Sequence, residues 1–371
     1  MSQLLNLWTR FLSLNADVQV RWKSMSRAQR LSGYALAVLA LYLAPWWPKI
    51  PGIGWLVNTP GTQFSTVLND QVIIFVLVAL GLNVVVGLAG LLDLGYVGFY
   101  AVGAYVVGVL TSQHASLPWI VALPIAVLVS MLVGVILGTP TLRLRGDYLA
   151  IVTLGFGEII RISAKNLDWL GASRGISDIG KPPSIGPLTL GPLTLGPLKF
   201  GVIDPKPYYW LGLTLVFLVV FCLYRLEESR VGRAWTAIRE DEDAAELMGV
   251  NTFKFKLWAF AIGAAVGGLA GAHYAGKVGF ISPDNFPLQL SILFLAAVVL
   301  GGSGNMYGAI LGGVMVAWLP ERFRNFTDKR VLVFGIALVL VMVFRPEGLL
   351  PRRVRTKSPM KPASDGQEVA Q

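Results

Sequence analysis

Long uncharged apolar runs alternate with short polar segments along most of the chain. A membrane-spanning helix needs about 20 mostly apolar residues, within a range of roughly 17–25. Runs close to that length cover residues 31–47, 72–92, 94–112, 118–138, 148–162, 208–224, 257–276, 287–302, 306–319 and 331–344. The pattern predicts an all-α polytopic membrane protein with about eight to ten transmembrane helices, the shortest runs being candidates for partial or re-entrant segments.

Composition supports this class and argues against several others. Only 14% of the 371 residues are charged and 54% are hydrophobic, whereas a soluble chain carries about a quarter charged residues. The net charge of +10 is compatible with nucleic-acid binding, but the basic residues flank the apolar runs, so we expect no nucleic-acid partner. The lone Cys222 cannot form a disulfide within the chain, and His114 and His273 are too few and too separated to indicate a metal site.

Lys and Arg residues near the ends of the runs predict the orientation, because cytoplasmic loops carry an excess of them. If ten spans alternate, the basic residues of 1–30, 141–147 and 347–371 all lie in the cytoplasm, and so do both termini. Loops 49–71 and 165–207 then lie on the periplasmic side. The 321–330 loop does not fit this scheme, because it holds four basic residues and yet lies outside.

The same pattern predicts the domain organisation. We expect a cytoplasmic N-terminal arm over residues 1–30, a transmembrane domain over 31–346 and a disordered cytoplasmic tail over 347–371. Within the transmembrane domain, residues 226–255 form a large cytoplasmic loop. The periplasmic loop 165–207 contains the near-repeat GPLTL, GPLTL, GPLKF. Each Gly-Pro breaks a helix, so we expect a turn-rich loop or a small hairpin there.

Two series of glycines predict close helix packing. Residues four apart lie on one helix face, so each series makes a smooth groove for a neighbouring backbone. The first series is Gly263, Gly267 and Gly271, and the second is Gly304, Gly308 and Gly312. The alternative interpretation is the ordinary glycine enrichment of membrane helices.

The run over residues 87–105 is a candidate element of a translocation path. Small residues, aromatic side chains and one carboxylate, Asp93, meet there at the junction of two predicted spans. Non-helical backbone at membrane depth is tolerated only beside protein or water. The candidate path residues are Gly90, Asp93, Tyr96, Phe99 and, from the 148–162 run, Glu158. The alternatives are a tight turn with Asp93 as a helix cap, and structural pairing of Glu158 with Arg161 three residues later.

A dense charged segment, RVGRAWTAIREDEDAAELMG, interrupts the apolar runs at residues 230–249. Its composition predicts a helix from about 231 to 248, with Gly249 as the C-terminal stop. Ala234, Ile238, Ala245 and Met248 fall roughly on one side of that helix. Such a helix lies on the membrane surface or meets another protein, while a simple solvated face is the plainer alternative.

The spelling DAAELMG at residues 243–249 resembles the EAA-x3-G cytoplasmic loop of ABC-importer permeases. Together with 87–105 and the RPEGLLP motif at 345–351, the segment 230–251 resembles the LivM-type permeases of branched-chain amino acid importers. The resemblance covers essentially residues 31–351. It implies that this loop couples to an ATPase through Arg233, Arg239, Glu240, Asp243, Ala244, Ala245 and Gly249.

The resemblance also implies a set of partners. These are a sister permease forming a heterodimer, two cytoplasmic ATPase subunits that hold ATP and Mg²⁺, a periplasmic amino-acid-binding protein and the lipid of a bacterial inner membrane. The sequence contains no G-x-x-x-x-G-K-[ST] phosphate loop, so we expect no bound cofactor and no enzyme activity of its own. The implied substrates are leucine, isoleucine and valine. The alternative is a proton- or sodium-coupled secondary transporter, which needs a carboxylate such as Asp93 or Glu158 at an ion site.

Overall fold

The computed structural model describes residues 26–50, 54, 59, 62–112, 115–144, 146–184, 188–190, 193–195, 200, 205–322, 335, 336, 339, 343 and 348–350. Its helices are α1 (Arg27–Tyr42), α2 (Phe64–Leu88), α3 (Tyr96–Thr111), α4 (Trp119–Thr141), α5 (Asp147–Asn166), α6 (Lys206–Glu227), α7 (Arg230–Glu240), α8 (Glu242–Leu247), α9 (Thr252–Val278), α10 (Leu288–Gly301) and α11 (Met306–Arg322). A two-residue connection joins two short strands, β1 (Leu188–Leu190) and β2 (Leu193–Leu195).

The prediction of an all-helical membrane protein is confirmed. In the described parts of the chain, α2, α4, α6, α9 and residues Pro283–Gly301 are long and apolar enough to cross a membrane, and α1 and α3 contain shorter apolar helices. Nine of the ten predicted runs coincide with a helix. The tenth, 331–344, falls almost entirely outside the described residues, as do residues 1–25 and 351–371, which hold most of the predicted arm and tail.

Helices α2 and α9 form the centre of the bundle, and α3, α4, α10 and α11 pack around them. In their most apolar stretches, 83% of the α2 residues and 72% of the α9 residues are buried, against 22% in α4. Large apolar side chains instead cover the outer surface, including Leu128, Ile136, Ile151, Ile159, Leu218 and Phe221. Such a surface is suited to lipid, because lipid tails are as apolar as these side chains and exposing the side chains to them carries no penalty.

Close backbone contact joins α9 to α3 and α4. A Cβ atom added at Gly271 would lie 1.9 Å from the carbonyl oxygen of Tyr100, and one at Gly268 would lie 2.2 Å from Oγ of Ser130. Gly263 and Gly267 lie against the side chains of Val85 and Tyr96. These glycines therefore allow α9 to approach its neighbours more closely than any larger residue permits.

The second glycine series is divided between a loop and a helix, so the prediction of one helix face carrying all three residues is wrong. Gly304 precedes α11 and has a φ of +84°, a left-handed conformation that ends helical periodicity. Gly308 and Gly312 do lie in α11, where added Cβ atoms would fall 2.6 Å from the carbonyl oxygen and 2.8 Å from the backbone nitrogen of Gly301 in α10. The series therefore combines a turn with a helix contact.

The two ends of the bundle differ in structure. One end, which we call the α7–α8 end, brings together the residues after α2, the α10–α11 loop and residues 348–350. Leu349 and Leu350 donate backbone hydrogen bonds of 2.9 Å to Leu300 and Gly301. Residues 348–350, at the start of the expected cytoplasmic tail, therefore pack on the end of α10.

At the opposite end, the segment after α5 packs on the α9–α10 connection. Ile176 pairs with Ile281 in an isolated β-bridge, and Gly180 N donates to Thr111 Oγ1 at 3.0 Å. The β1–β2 hairpin lies in the GPLTL near-repeat, with Thr189 opposite Thr194. Of the two structures expected for this repeat, a turn-rich loop or a small hairpin, the described residues form the hairpin.

Candidate functional site

The charged segment folds as two helices, so the prediction of one continuous helix over 231–248 is wrong. Ser229 caps α7 by accepting a hydrogen bond of 3.1 Å from Val231 N. Asp241 then adopts extended backbone, with φ −158° and ψ 110°, and its side chain accepts a 3.0 Å hydrogen bond from Ala244 N. A short acidic side chain at this position favours capping a new helix over continuing the old one.

Helix α8 ends at a left-handed turn that leaves two apolar side chains outside. Gly249 has a φ of +85°, and Val250 N donates to Ala245 O at 3.0 Å, which closes a Schellman motif. Leu247 and Met248 are 88% and 85% exposed. The expectation that Met248 falls on the same side as Ala245 is wrong, because Ala245 is buried inside α8 whereas Met248 follows its last residue as the C-cap and faces outward.

Trp235 anchors α7 to the bundle. Its side chain is completely buried, and its Nε1 donates a 2.7 Å hydrogen bond to Phe255 O at the start of α9. Lys256 in α9 forms an ion pair with Glu242 in α8. The sequence analysis assigned no role to Trp235 or to Lys256. A lone tryptophan between Ala234 and Ile238 in a charged helix is nevertheless a usable signal for a buried anchor.

Arg239 points inward, into the bundle. Its Nη1 donates to the carbonyl oxygen of Gly87 in α2, and its Nη2 lies 3.3 Å from Oγ of Ser303 in the α10–α11 loop. Its aliphatic stem also crosses Gly90, where an added Cβ would lie 3.1 Å from Cγ of Arg239. One side chain of α7 therefore contacts two separate elements of the transmembrane bundle.

The contact region of Arg239 is itself tied together. Asn83 Oδ1 accepts a buried 2.8 Å hydrogen bond from Gly304 N, joining α2 to the α10–α11 loop. The last turns of α2, Asn83–Leu88, are π-helical. Such turns are rare and frequently mark functional sites. Gly87 lies in the last turn of α2, where carbonyl oxygens have no helical partner, so its carbonyl oxygen can accept from Arg239.

Five of the other six residues predicted for ATPase coupling lie on the outer side of α7 and α8. Arg233, Glu240, Asp243, Ala244 and Gly249 are exposed, while Ala245 is buried at 5% exposure. Arg233 Nη1 donates to Glu228 O at 3.2 Å. The predicted set thus divides into an outward group of five residues and two residues, Ala245 and Arg239, that face the rest of the chain.

Three of the residues predicted for a translocation path pack in the core. Asp93 is fully buried, and its Oδ1 accepts a 2.8 Å hydrogen bond from Gly95 N within the turn between α2 and α3. Tyr96 is also fully buried and donates a 2.7 Å hydrogen bond to Gly263 O. Phe99 contacts Tyr96 edge-to-face, with ring centroids 5.9 Å apart.

The remaining two predicted path residues are apart from that core. Gly90 is exposed at the α7–α8 end, with a φ of +73°, beneath Arg239. Glu158 in α5 forms an ion pair with Arg161, with Nη2 to Oε2 at 2.8 Å, as the sequence analysis suggested as an alternative role. The structure therefore does not bring Glu158 together with Asp93.

Comparison with known proteins gives a consistent picture. Residues 66–344 match the family described as "Branched-chain amino acid transport system / permease component". The LivM high-affinity branched-chain amino acid transport system permease proteins of Salmonella typhimurium and Escherichia coli are each 42% identical, over 86% and 87% of this chain and 74% and 75% of their own. The LivH permease protein of Escherichia coli is 34% identical over 38% of this chain and 44% of its own. No solved structure matches the chain.

Proposed function

This chain belongs to the family of permease components of branched-chain amino acid transport systems, and we propose that it carries leucine, isoleucine and valine across a bacterial inner membrane at the expense of ATP hydrolysed elsewhere. It is a permease component and not a catalytic subunit. ATP and Mg²⁺ are bound by two cytoplasmic ATPase subunits. A periplasmic binding protein delivers the amino acid.

The second permease of the complex is a related chain. The similarity of 143 residues to the LivH permease protein supports this, because two permeases of one ancestry can pair around a pseudo-two-fold axis. The translocation path then runs between the two chains. Residues 1–30 and the tail are cytoplasmic in this arrangement, as is the 226–255 loop.

The single observation that carries the coupling role is the exposed tip of α8. Leu247 and Met248 project there beside the acidic Glu240 and Asp243, on a helix whose start and end are both fixed. Rigid apolar anchors surrounded by charges are typical of protein–protein contacts. We assign this surface, residues 240–249, as the ATPase-docking surface.

Arg239 connects that surface to the bundle. Movement of α8 reaches α7 through Asp241, and Arg239 passes it to α2 and to the α10–α11 loop. Arg233 and Gly249 contribute by fixing the two ends of the segment. The proposal therefore gives the outward residues contact with the ATPase and the inward residue contact with the spans.

The test is ATP-driven uptake by the complete transporter in proteoliposomes. The double variant Leu247→Asp/Met248→Asp should bind the ATPase at least tenfold more weakly, because it removes both apolar anchors, and uptake should fall in parallel. Tyr148→Ser, which removes another large exposed side chain near the membrane at the start of α5, should leave both properties unchanged.

Two results would overturn the proposal. One is normal ATPase binding and uptake by the double variant. The other is uptake by the wild-type chain that needs no ATP and collapses with the proton gradient, which is the behaviour of a secondary transporter.

A further inference from the structure

A cavity of about 380 Å³ opens at the end of the bundle opposite α7 and α8. It lies between the start of α2, α3, the end of α9, α10 and the end of α11, and its volume falls in the range of about 300–1,000 Å³ found for small-molecule sites. None of the residues predicted for a translocation path lines it. We call it the vestibule cavity.

One side of the vestibule cavity is polar and charged. Asp70 forms an ion pair with Lys277 of α9, and the Asp70 side chain remains 35% exposed. Gln71 Nε2 donates to Glu321 Oε1 of α11 at 3.1 Å. The two charged residues that line the cavity, Asp70 and Glu321, are both acidic, and Lys277 pairs with Asp70 from outside the lining. Ionisable groups between membrane helices are costly and usually serve function.

The opposite side is aromatic and aliphatic. Phe75 and Phe294 meet edge-to-face with centroids 5.1 Å apart, and Tyr100 lies 5.9 Å from Phe294. Leu293 completes this wall. The cavity therefore separates charge from apolar surface within a small volume.

A π-helical turn at Leu68–Val72 produces the polar side. The widened turn sits within a span that is otherwise α-helical, and it contains Asp70 and Gln71, which both line the cavity. The only other π-helical segment in the described part of α2 is the one that receives Arg239. The two irregular turns of α2 thus coincide with the cavity and with the coupling contact.

We propose that the vestibule cavity is a transient binding site for the transported amino acid within this permease. The ligand class is a zwitterionic α-amino acid with an aliphatic side chain. Its ammonium group would bind near Asp70 and Glu321, which line the cavity, and its side chain against Phe75, Leu293 and Phe294. Its carboxylate would lie on the side where Lys277, outside the lining, pairs with Asp70. The proposal rests on the proposed function, because only a chain that carries such amino acids needs this match.

A second cavity provides a matched contrast. It has a volume of about 420 Å³ and is lined mainly by apolar residues such as Val102, Val109 and Ile160. The polar side-chain atoms of its lining come from Tyr105, Ser163 and Trp169, and no charged residue lines it. Apolar volume alone is therefore not the feature that distinguishes the vestibule cavity. The distinguishing feature is the pairing of charges with an apolar wall.

The direct test uses a diazirine analogue of leucine as the photoreactive probe. The complete transporter with its binding protein is loaded with this probe during ATP turnover, irradiated and analysed by peptide mass spectrometry. We expect labelling on α2 or α10 near Phe75 and Phe294, and at least fivefold less labelling with excess leucine. Labelling confined to other helices, in a transporter that takes up leucine normally, would overturn the assignment.

Variants give an independent test. Leu293→Trp fills the vestibule cavity and should lower the uptake rate of leucine at least tenfold, while ATPase assembly and ATP hydrolysis continue. Val109→Trp makes the same kind of change in the second cavity and should leave leucine uptake within twofold of wild type. Equal uptake by wild type and Leu293→Trp would exclude the site.

The charged side is tested by exchange of the ion pair. The double variant Asp70→Asn/Lys277→Met keeps the net charge and should also reduce leucine uptake at least tenfold. The single variant Lys277→Arg keeps the ion pair with Asp70 and should retain much of the wild-type uptake. Unchanged uptake by the neutral double variant would show that the pair only stabilises the bundle. If wild type itself takes up no branched-chain amino acid, the proposed function fails, which is a different result from a failure of the cavity assignment alone.

Discussion

The guanidinium of Arg239 in α7 donates a hydrogen bond to the carbonyl oxygen of Gly87 in α2. This links the outer, charged segment of the chain to the most buried of its membrane helices. Helix α2 has 25 residues, a length of about 37 Å, so it reaches across the hydrocarbon core of a membrane. Its far end carries Asp70 and Gln71 on the vestibule cavity. A single helix therefore connects the proposed ATPase-docking surface with the proposed amino acid site.

Replacing Arg239 should uncouple ATP hydrolysis from transport. Arg239→Ala removes the contacts with Gly87 and Ser303 while leaving the outward surface of α8 intact. We expect ATPase assembly and ATP hydrolysis to persist and leucine uptake to fall at least tenfold, measured together in proteoliposomes. Arg230→Ala, at an exposed position on the same helix, is the control and should transport normally. Parallel loss of assembly and uptake in Arg239→Ala would contradict a role in transmission.

The turn at Gly304 should not accept a side chain. Its φ is +84°, and an added Cβ would lie 2.1 Å from Nη1 of Arg239. Gly304→Ala should lower the free energy of unfolding by about 1–3 kcal/mol from backbone strain, with a further loss from displacing Arg239. The measurement is thermal unfolding in detergent.

Gly155→Ala is the matched control for that measurement. Gly155 lies within α5, and nothing lies within 4 Å of an added Cβ. Because alanine is favoured over glycine in helices by about 1 kcal/mol, this variant should be as stable as wild type or more stable. Equal destabilisation by both substitutions would mean that the strain at Gly304 is not the cause.

The hydrogen bond of Trp235 should contribute measurably to stability. Trp235→Phe keeps most of the buried ring but leaves Phe255 O without its side-chain donor, so we expect a loss of about 1 kcal/mol. Trp235→Ala also creates a cavity and should cost about 3–5 kcal/mol. Trp258→Phe, at a side chain that is 46% exposed, should have little effect on the same thermal unfolding curve.

The cap at Asp241 should position α8 for docking. Asp241→Ala removes the acceptor for Ala244 N, and loss of such a cap costs about 1 kcal/mol. We expect α8 to fray and the affinity for the ATPase to fall about fivefold, with the bundle unaffected, as read by binding assays and thermal unfolding. Asp241→Asn retains a capping oxygen and should bind almost as wild type. A defect equal in the two variants would point to the lost charge instead of the lost cap.

Sequence patterns predicted the helices well because lipid imposes a simple rule. A span must satisfy its backbone internally and be apolar over about 20 residues, so composition along the chain is sufficient to find it. The segment 208–224 lies within α6, and all of 118–138 except the capping Pro118 lies within α4. The rule predicts helix ends less well. The predicted run begins at residue 72, after the charged Asp70, whereas α2 begins at Phe64 and includes Asp70, whose charge Lys277 compensates.

The candidate sites were less accessible to sequence reasoning. The charged segment was predicted as one helix because most of its residues are helix formers, yet Asp241 adopts extended backbone and caps α8. Asp93 drew attention as an intramembrane carboxylate, but it is buried in a turn. Lys277 and Glu321 gave no such signal, since their partners are far away in the sequence.

The sequence by itself determined that this chain is a helical membrane protein with an interrupting charged segment, because hydrophobic length and helix propensity are local properties. Only the tertiary structure decided that Arg239 points into the bundle, that Asp70 and Glu321 line one cavity with aromatic side chains, and that Lys277 pairs with Asp70. Those relationships depend on how distant helices pack, and close packing is decided by glycine contacts and by irregular turns whose effects span the whole fold.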